Sequence, residues 1–125
     1  MFSRSLAIPR NPEDIKIIES FLSKRGLEGR VDLLVIDFSG IEVEDYVVSF
    51  TPPPWISGIK WGRGEVMKVK YDGMSPPSRV IQEITSRKGY DMVIVVSQTV
   101  GNLPSMNLAS SLATTLKLPL LVIPG

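Results

Sequence analysis

Short, nearly continuous apolar runs alternate with stretches of helical spacing along this chain. Residues 31–38 (Val-Asp-Leu-Leu-Val-Ile-Asp-Phe), 91–97 (Asp-Met-Val-Ile-Val-Val-Ser) and 118–123 (Leu-Pro-Leu-Leu-Val-Ile) are the clearest of the first kind. A strand covered on one face alternates apolar and polar positions. These runs do not alternate, so each is expected to be a strand buried on both faces, as in a parallel sheet. Residues 5–9 form a shorter run of the same kind. Residues 65–71, with Val66, Lys68, Val69 and Lys70, do alternate, and predict a half-exposed edge strand whose lysines discourage further pairing.

Helical spacing fills the gaps. Ile15, Ile18 and Leu22, thickened by Ile17 and Phe21, follow an Asn11 N-cap, Pro12 at the first helical position, and the acidic Glu13 and Asp14; Gly26 is the stop. Ser75, Pro76 and Pro77 open a second helix carrying Val80, Ile81 and Ile84, ended by Gly89. Leu108, Ala109, Leu112, Ala113 and Leu116 predict a third between the last two strands. A strand, a crossover helix and a parallel strand make a right-handed βαβ unit.

Residues 40–64 break the rhythm. Residues 45–50 are a short strand or a strained apolar segment. Residues 51–64 hold three consecutive prolines, then three glycines, which forbid helix and discourage ladder pairing. The sum is five strands and three helices in one domain, residues 1–125. It is an α/β fold with a doubly wound five-stranded parallel sheet, in which an irregular connection replaces the second helix.

Composition narrows the chemistry. The chain has no cysteine, hence no disulfide, thiol nucleophile or thiolate metal site, and no histidine, the commonest general base. A net charge of +1 argues against nucleic-acid or anionic-membrane partners. No run is long enough to span a membrane, and the opening residues lack a secretory apolar core, so the expected location is cytoplasmic.

The second half of the chain resembles the universal stress protein family. Residues 89–96 (Gly-Tyr-Asp-Met-Val-Ile-Val-Val) are similar to that family's glycine, any residue, aspartate, apolar-strand segment. Residues 116–124 resemble its closing apolar strand flanked by prolines, and the helix expected over residues 78–89 also fits. The resemblance implies the sheet order 3-2-1-4-5 and dimerisation through the last strand, here Leu120, Leu121, Val122 and Ile123. Some members bind ATP through a glycine motif after strand 4, where bare backbone N–H groups approach the phosphates beside a helix N-terminus. This chain departs from that motif. Counted from the end of strand 4, Ser97, Val100 and Ser110 stand where glycines belong, and only Ser111 matches. Counted back from Pro119, Met106 and Asn107 take the last two places, and Gly101 falls one place late in the first register. Pro9, Arg10 and Asn11 occupy the corner where the family carries an aspartate.

The candidate crevice lies at the carboxyl ends of strands 1 and 4, where the sheet order reverses. Arg10, Asn11, Ser97, Thr99, Gly101, Asn102 and Ser111 are its candidate binding residues. The plainer reading, which we favour, makes them caps and turns. The sharper one makes them a neutral cradle for ATP or AMP, with magnesium only if ATP is bound. Trp55 and Trp61 either stack on a planar ligand there or, as we favour, plug the sheet where a helix is missing. Asp37, Glu44 and Asp45 are turn or capping carboxylates rather than a magnesium site. No catalytic residue stands out. The expected function is a non-catalytic, homodimeric binding or regulatory module of unknown ligand. The alternative is a nucleotide-binding stress protein that hydrolyses ATP slowly or not at all through a divergent loop after strand 4.

Overall fold

The computed structural model describes residues 3–26, 29–37, 39–40, 42–43, 46–47, 51–74, 77–97 and 116–124. Five parallel strands form one sheet: β1 (Arg4–Ile8), β2 (Arg30–Asp37), β3 (Val66–Lys70), β4 (Met92–Val96) and β5 (Leu120–Ile123). Their order is β3-β2-β1-β4-β5, the 3-2-1-4-5 arrangement. Register is set along the central strands, where Ala7 stands between Leu33 of β2 and Ile94 of β4. At the edges, Leu33 aligns with Val66 and Ile94 with Leu121.

The near-continuous apolar runs have the expected cause, burial on both faces. Leu6, Ile8, Leu34, Ile36, Val93 and Val95 point to one face, where Ile81 and Tyr90 cover them. Ala7, Val31, Leu33, Met92, Ile94 and Val96 point to the other, against Ile18 and Leu22. Each such side chain taken fully from water contributes about 2 kcal/mol, so the doubly covered sheet is the main source of stability. β3 is an edge strand, as its alternation predicts, with Lys68 and Lys70 exposed.

Two helices are present among the described residues. α1 (Pro12–Arg25) starts at Asn11 and ends at Gly26, whose φ of 62° is left-handed; the Gly26 N–H reaches back to the Leu22 and Ser23 carbonyls. It approaches β4 and β5 on its face of the sheet. α2 (Pro77–Lys88) lies on the opposite face, and Gly89 follows it at φ 68°. The helix expected around residues 108–116 lies almost wholly outside the described residues. Of residues 45–50, Tyr46 and Val47 pair antiparallel with Val43 and Glu42 in a two-residue ladder.

The irregular connection is packed against the sheet. After the prolines, Pro54–Ile56 makes one 3-10 turn with Ile56 buried. Ile59 and Trp61 then pack on the α1 face, in the layer a second crossover helix would occupy. The Val31 and Leu33 N–H groups bond to the Arg63 and Glu65 carbonyls, which leads residues 63–65 straight into the β2–β3 ladder. We call residues 59–65 the strap.

Candidate functional site

The crevice is defined by β1 and β4. Ile8 pairs with Val95, so Pro9-Arg10-Asn11 and Ser97 leave the sheet at the same end, between adjacent strands whose connections run in opposite directions. This is the switch point at which open α/β sheets commonly take ligands. Ser97 is half-buried, and its N–H continues the ladder to the Ile123 carbonyl at 2.8 Å. Thr99, Gly101, Asn102 and Ser111 lie outside the described residues, as do Glu44 and Asp45.

On the β1 side the polar groups serve the start of α1. The Asn11 side-chain carbonyl accepts from the Asp14 N–H at 2.9 Å, the expected N-cap bond. The Asp14 carboxylate is buried and accepts from the Arg10 backbone N–H at 2.9 Å and from its Nε at 2.8 Å; a longer 3.3 Å bond comes from Nη2. The side chains of both partners are less than a tenth exposed. A carboxylate of the chain itself therefore sits at the N-terminal turn of α1, where an anionic ligand would be favoured, and it matches the charge of the Arg10 guanidinium. At the end of β2, Asp37 Oδ1 accepts from the Ser39 N–H at 2.9 Å, a local turn bond. No cluster of three or more carboxylates poised for a metal occurs among the described residues.

Trp61 stands elsewhere. The Trp61 indole N–H donates to the Val31 carbonyl at 2.7 Å. Val31, the second residue of β2, is level with Ser5 of β1 at the amino end of the sheet, so Trp61 is roughly 10 Å or more along the strands from the crevice. Its packing on the core makes it a plug. Trp55 is half-buried in the 3-10 turn.

The amino end of the sheet holds the densest polar network of the described residues, and the sequence pattern alone does not announce it. Asp32, fully buried within β2, accepts from Arg30 Nε at 2.8 Å and the Glu65 N–H at 2.9 Å on one oxygen, and from the Tyr90 hydroxyl at 2.7 Å on the other. Arg4 lies 3.5 Å from that second oxygen and stacks 4.7 Å from the Tyr90 ring centre. Burial by itself raises the Asp32 carboxyl, but the Arg30, Tyr90 and Glu65 donors outweigh it and hold the group below its ordinary value. Burial, reinforced by the Asp32 charge, pushes the Tyr90 hydroxyl up to about 12. Beside them, Asp91 receives the Ser3 hydroxyl and the Ser3 and Arg4 N–H groups, which lower its carboxyl and pin the start of β1. The one signal available in the sequence was Asp32 itself, a carboxylate interrupting an apolar run with Arg30 two places earlier on the same face. Both Asp32 oxygens are satisfied within the network while the buried Arg4 Nε has no hydrogen-bond partner, and the network joins β1, β2, the residues leading into β4 and the strap.

Fold and crevice together define an open doubly wound α/β domain with its switch point between β1 and β4. Comparison with protein-family profiles and with curated protein sequences gave no match.

Proposed function

We propose that the chain is a universal-stress-protein-like binding or regulatory module that works as a homodimer without catalysis. The observation that carries the reading is the closing strand. β5 ends the 3-2-1-4-5 sheet, with Leu120 and Leu121 half-buried and Val122 41% exposed. An apolar edge strand of this kind is a template for pairing with another strand unless something covers it, and a second copy related by a two-fold axis supplies one. The crevice supports the non-catalytic part. Arg10 and Asn11 are engaged at the start of α1, and the chain has neither histidine nor cysteine to activate a nucleophile.

Light scattering tests the dimer. The wild-type chain is expected at twice the monomer mass, and Val122→Glu at the monomer mass with an unchanged circular dichroism spectrum, because Val122 is exposed within one copy. A folded Val122→Glu protein of undiminished mass removes β5 as the interface. The nucleotide reading is favoured by one feature, the placement of Arg10 and Ser97 at the switch point. Thermal-shift titrations with ATP, ADP and AMP, with and without magnesium, separate the two. The module as proposed gives no shift, whereas a rise in melting temperature abolished by Arg10→Ala in a folded protein establishes nucleotide binding.

A further inference from the structure

The α1 face of the sheet is covered unevenly. α1 is about 10 Å across, whereas the strap beside it is a single chain, about 5 Å thick by the spacing of neighbouring strands. The step between them is a groove of about 780 Å³, walled by Ile15, Lys16 and Glu19 of α1 and by Lys60, Trp61 and Arg63 of the strap. Ile15 and Trp61 give it an apolar surface and are themselves packed on the core. Trp61 is held in place by its bond to Val31, and Arg63 by bonds to Glu19 at 2.8 and 3.0 Å. The walls are therefore pre-organised rather than collapsed. A smaller furrow of about 320 Å³ on the other flank of α1 shares Lys16 with the groove and adds Lys24.

We propose that this groove docks an amphipathic, acid-flanked helix of a partner protein, seated in the half-layer that the strap leaves open. Size supports a helix. A helix about 10 Å across is the element that fills this layer at α1, and the strap fills only about half of it. Charge supports an acidic one. In the groove Arg63 and Glu19 offset each other and leave Lys16 and Lys60 in excess, and Lys24 adds a further cation in the neighbouring furrow, in a chain whose net charge is only +1. Glu19 is already bound by Arg63, and the Lys16–Glu13 pair at 3.6 Å is exposed on both sides and costs little to exchange. The mode is helix-in-groove recognition, with Trp61 and Ile15 receiving the apolar stripe and the lysines reading its flanks. This site is distinct from the crevice and from β5, so it stands or falls independently of the proposed dimer.

The test uses the full chain carrying Trp55→Phe, which leaves Trp61 as the only tryptophan. The probe is a stapled helical peptide of about 15 residues with leucines at i, i+3, i+4 and i+7 and glutamates flanking them. A saturable change in Trp61 emission is expected. It weakens at least about tenfold when Lys16→Glu and Lys60→Glu are combined, and it is lost when the peptide's glutamates are replaced by lysines. Lys60→Glu alone, at an exposed position, carries the test if the double variant fails to fold, with at least about a threefold loss. No emission change, equal binding of both peptides, or an affinity indifferent to Lys60 overturns the proposal. An equal response to inorganic polyphosphate also overturns it, by reducing the groove to a general anion surface.

Discussion

Asp32 shows how much one residue decides. Its carboxylate is buried without solvent, and each oxygen is satisfied by donors from other segments. Asp32→Asn keeps the size but removes the charge that Arg4 and Arg30 face, and is expected to cost about 3 kcal/mol in denaturant unfolding at neutral pH. The acid response has a definite sign. The folded carboxyls of Asp32, Asp91 and Glu19 are all depressed below their ordinary values. Their stabilisation is complete above the ordinary carboxylate range and disappears as pH falls through and below it, from about pH 5 to about pH 2. The melting temperature should fall over that window, and less steeply in Asp32→Asn. Gly64 is the second such position. A Cβ built there collides with the Val31 carbonyl and Asp32 Oδ1, so Gly64→Ala is expected to destabilise by about 2–3 kcal/mol, measured the same way. Sequence reading places Gly64 only in a loosened stretch. The backbone-to-backbone approach that requires it belongs to residues about thirty places apart, and no local pattern encodes that.

At the scale of elements, the strap does a helix's work with less material. Beside its backbone bonds to β2, the strap is held by side chains, among them the Trp61 indole bonded to Val31 and the Arg63 pair with Glu19. These two differ in kind. Trp61→Phe leaves the Val31 carbonyl without its indole donor and should cost about 1–2 kcal/mol. Arg63→Ala loses a pair in which both side chains are partly exposed, and should cost less than about 1 kcal/mol. Denaturant melts of the two variants check the ranking, and the reverse order would mean that charge rather than packing anchors the strap. The helices and the sheet strands among the described residues were legible in advance because their cause is local. The cap at Asn11, the left-handed stop at Gly26 and the lysine alternation of β3 each follow from residues within a few places of one another. The strap's bonds were not, because proline and glycine state what a segment cannot be and leave its contacts to the rest of the fold.

For the whole molecule, the sheet order places the two features on which the proposed function rests. β5 lies at an edge, and the switch point lies between β1 and β4. If β5 pairs with a second copy, folding and association are coupled, and the melting temperature should rise with protein concentration, as calorimetry over a range of concentrations would record. A melting temperature independent of concentration argues for a monomer whose edge is protected in another way. Whether Arg10 serves a ligand is set at this scale as well, since its counter-charge at Asp14 is a contact that a βα corner makes only once the strand and helix are in place.

By itself the sequence determined the class of fold. Runs without alternation require two covering layers, and helical stripes between them supply those layers, so a parallel α/β sheet follows from hydrophobic burial alone. It also limited the chemistry, because a chain without histidine or cysteine lacks the usual activated nucleophiles and bases. Only the tertiary structure decided which polar side chains are satisfied. It set Asp32 among arginines and a tyrosine, Asp14 against Arg10, and Trp61 at the end of the sheet away from the crevice. The physical reason is range: burial periodicity is written along a few neighbouring residues, whereas hydrogen bonds and ion pairs form wherever folding brings distant segments together.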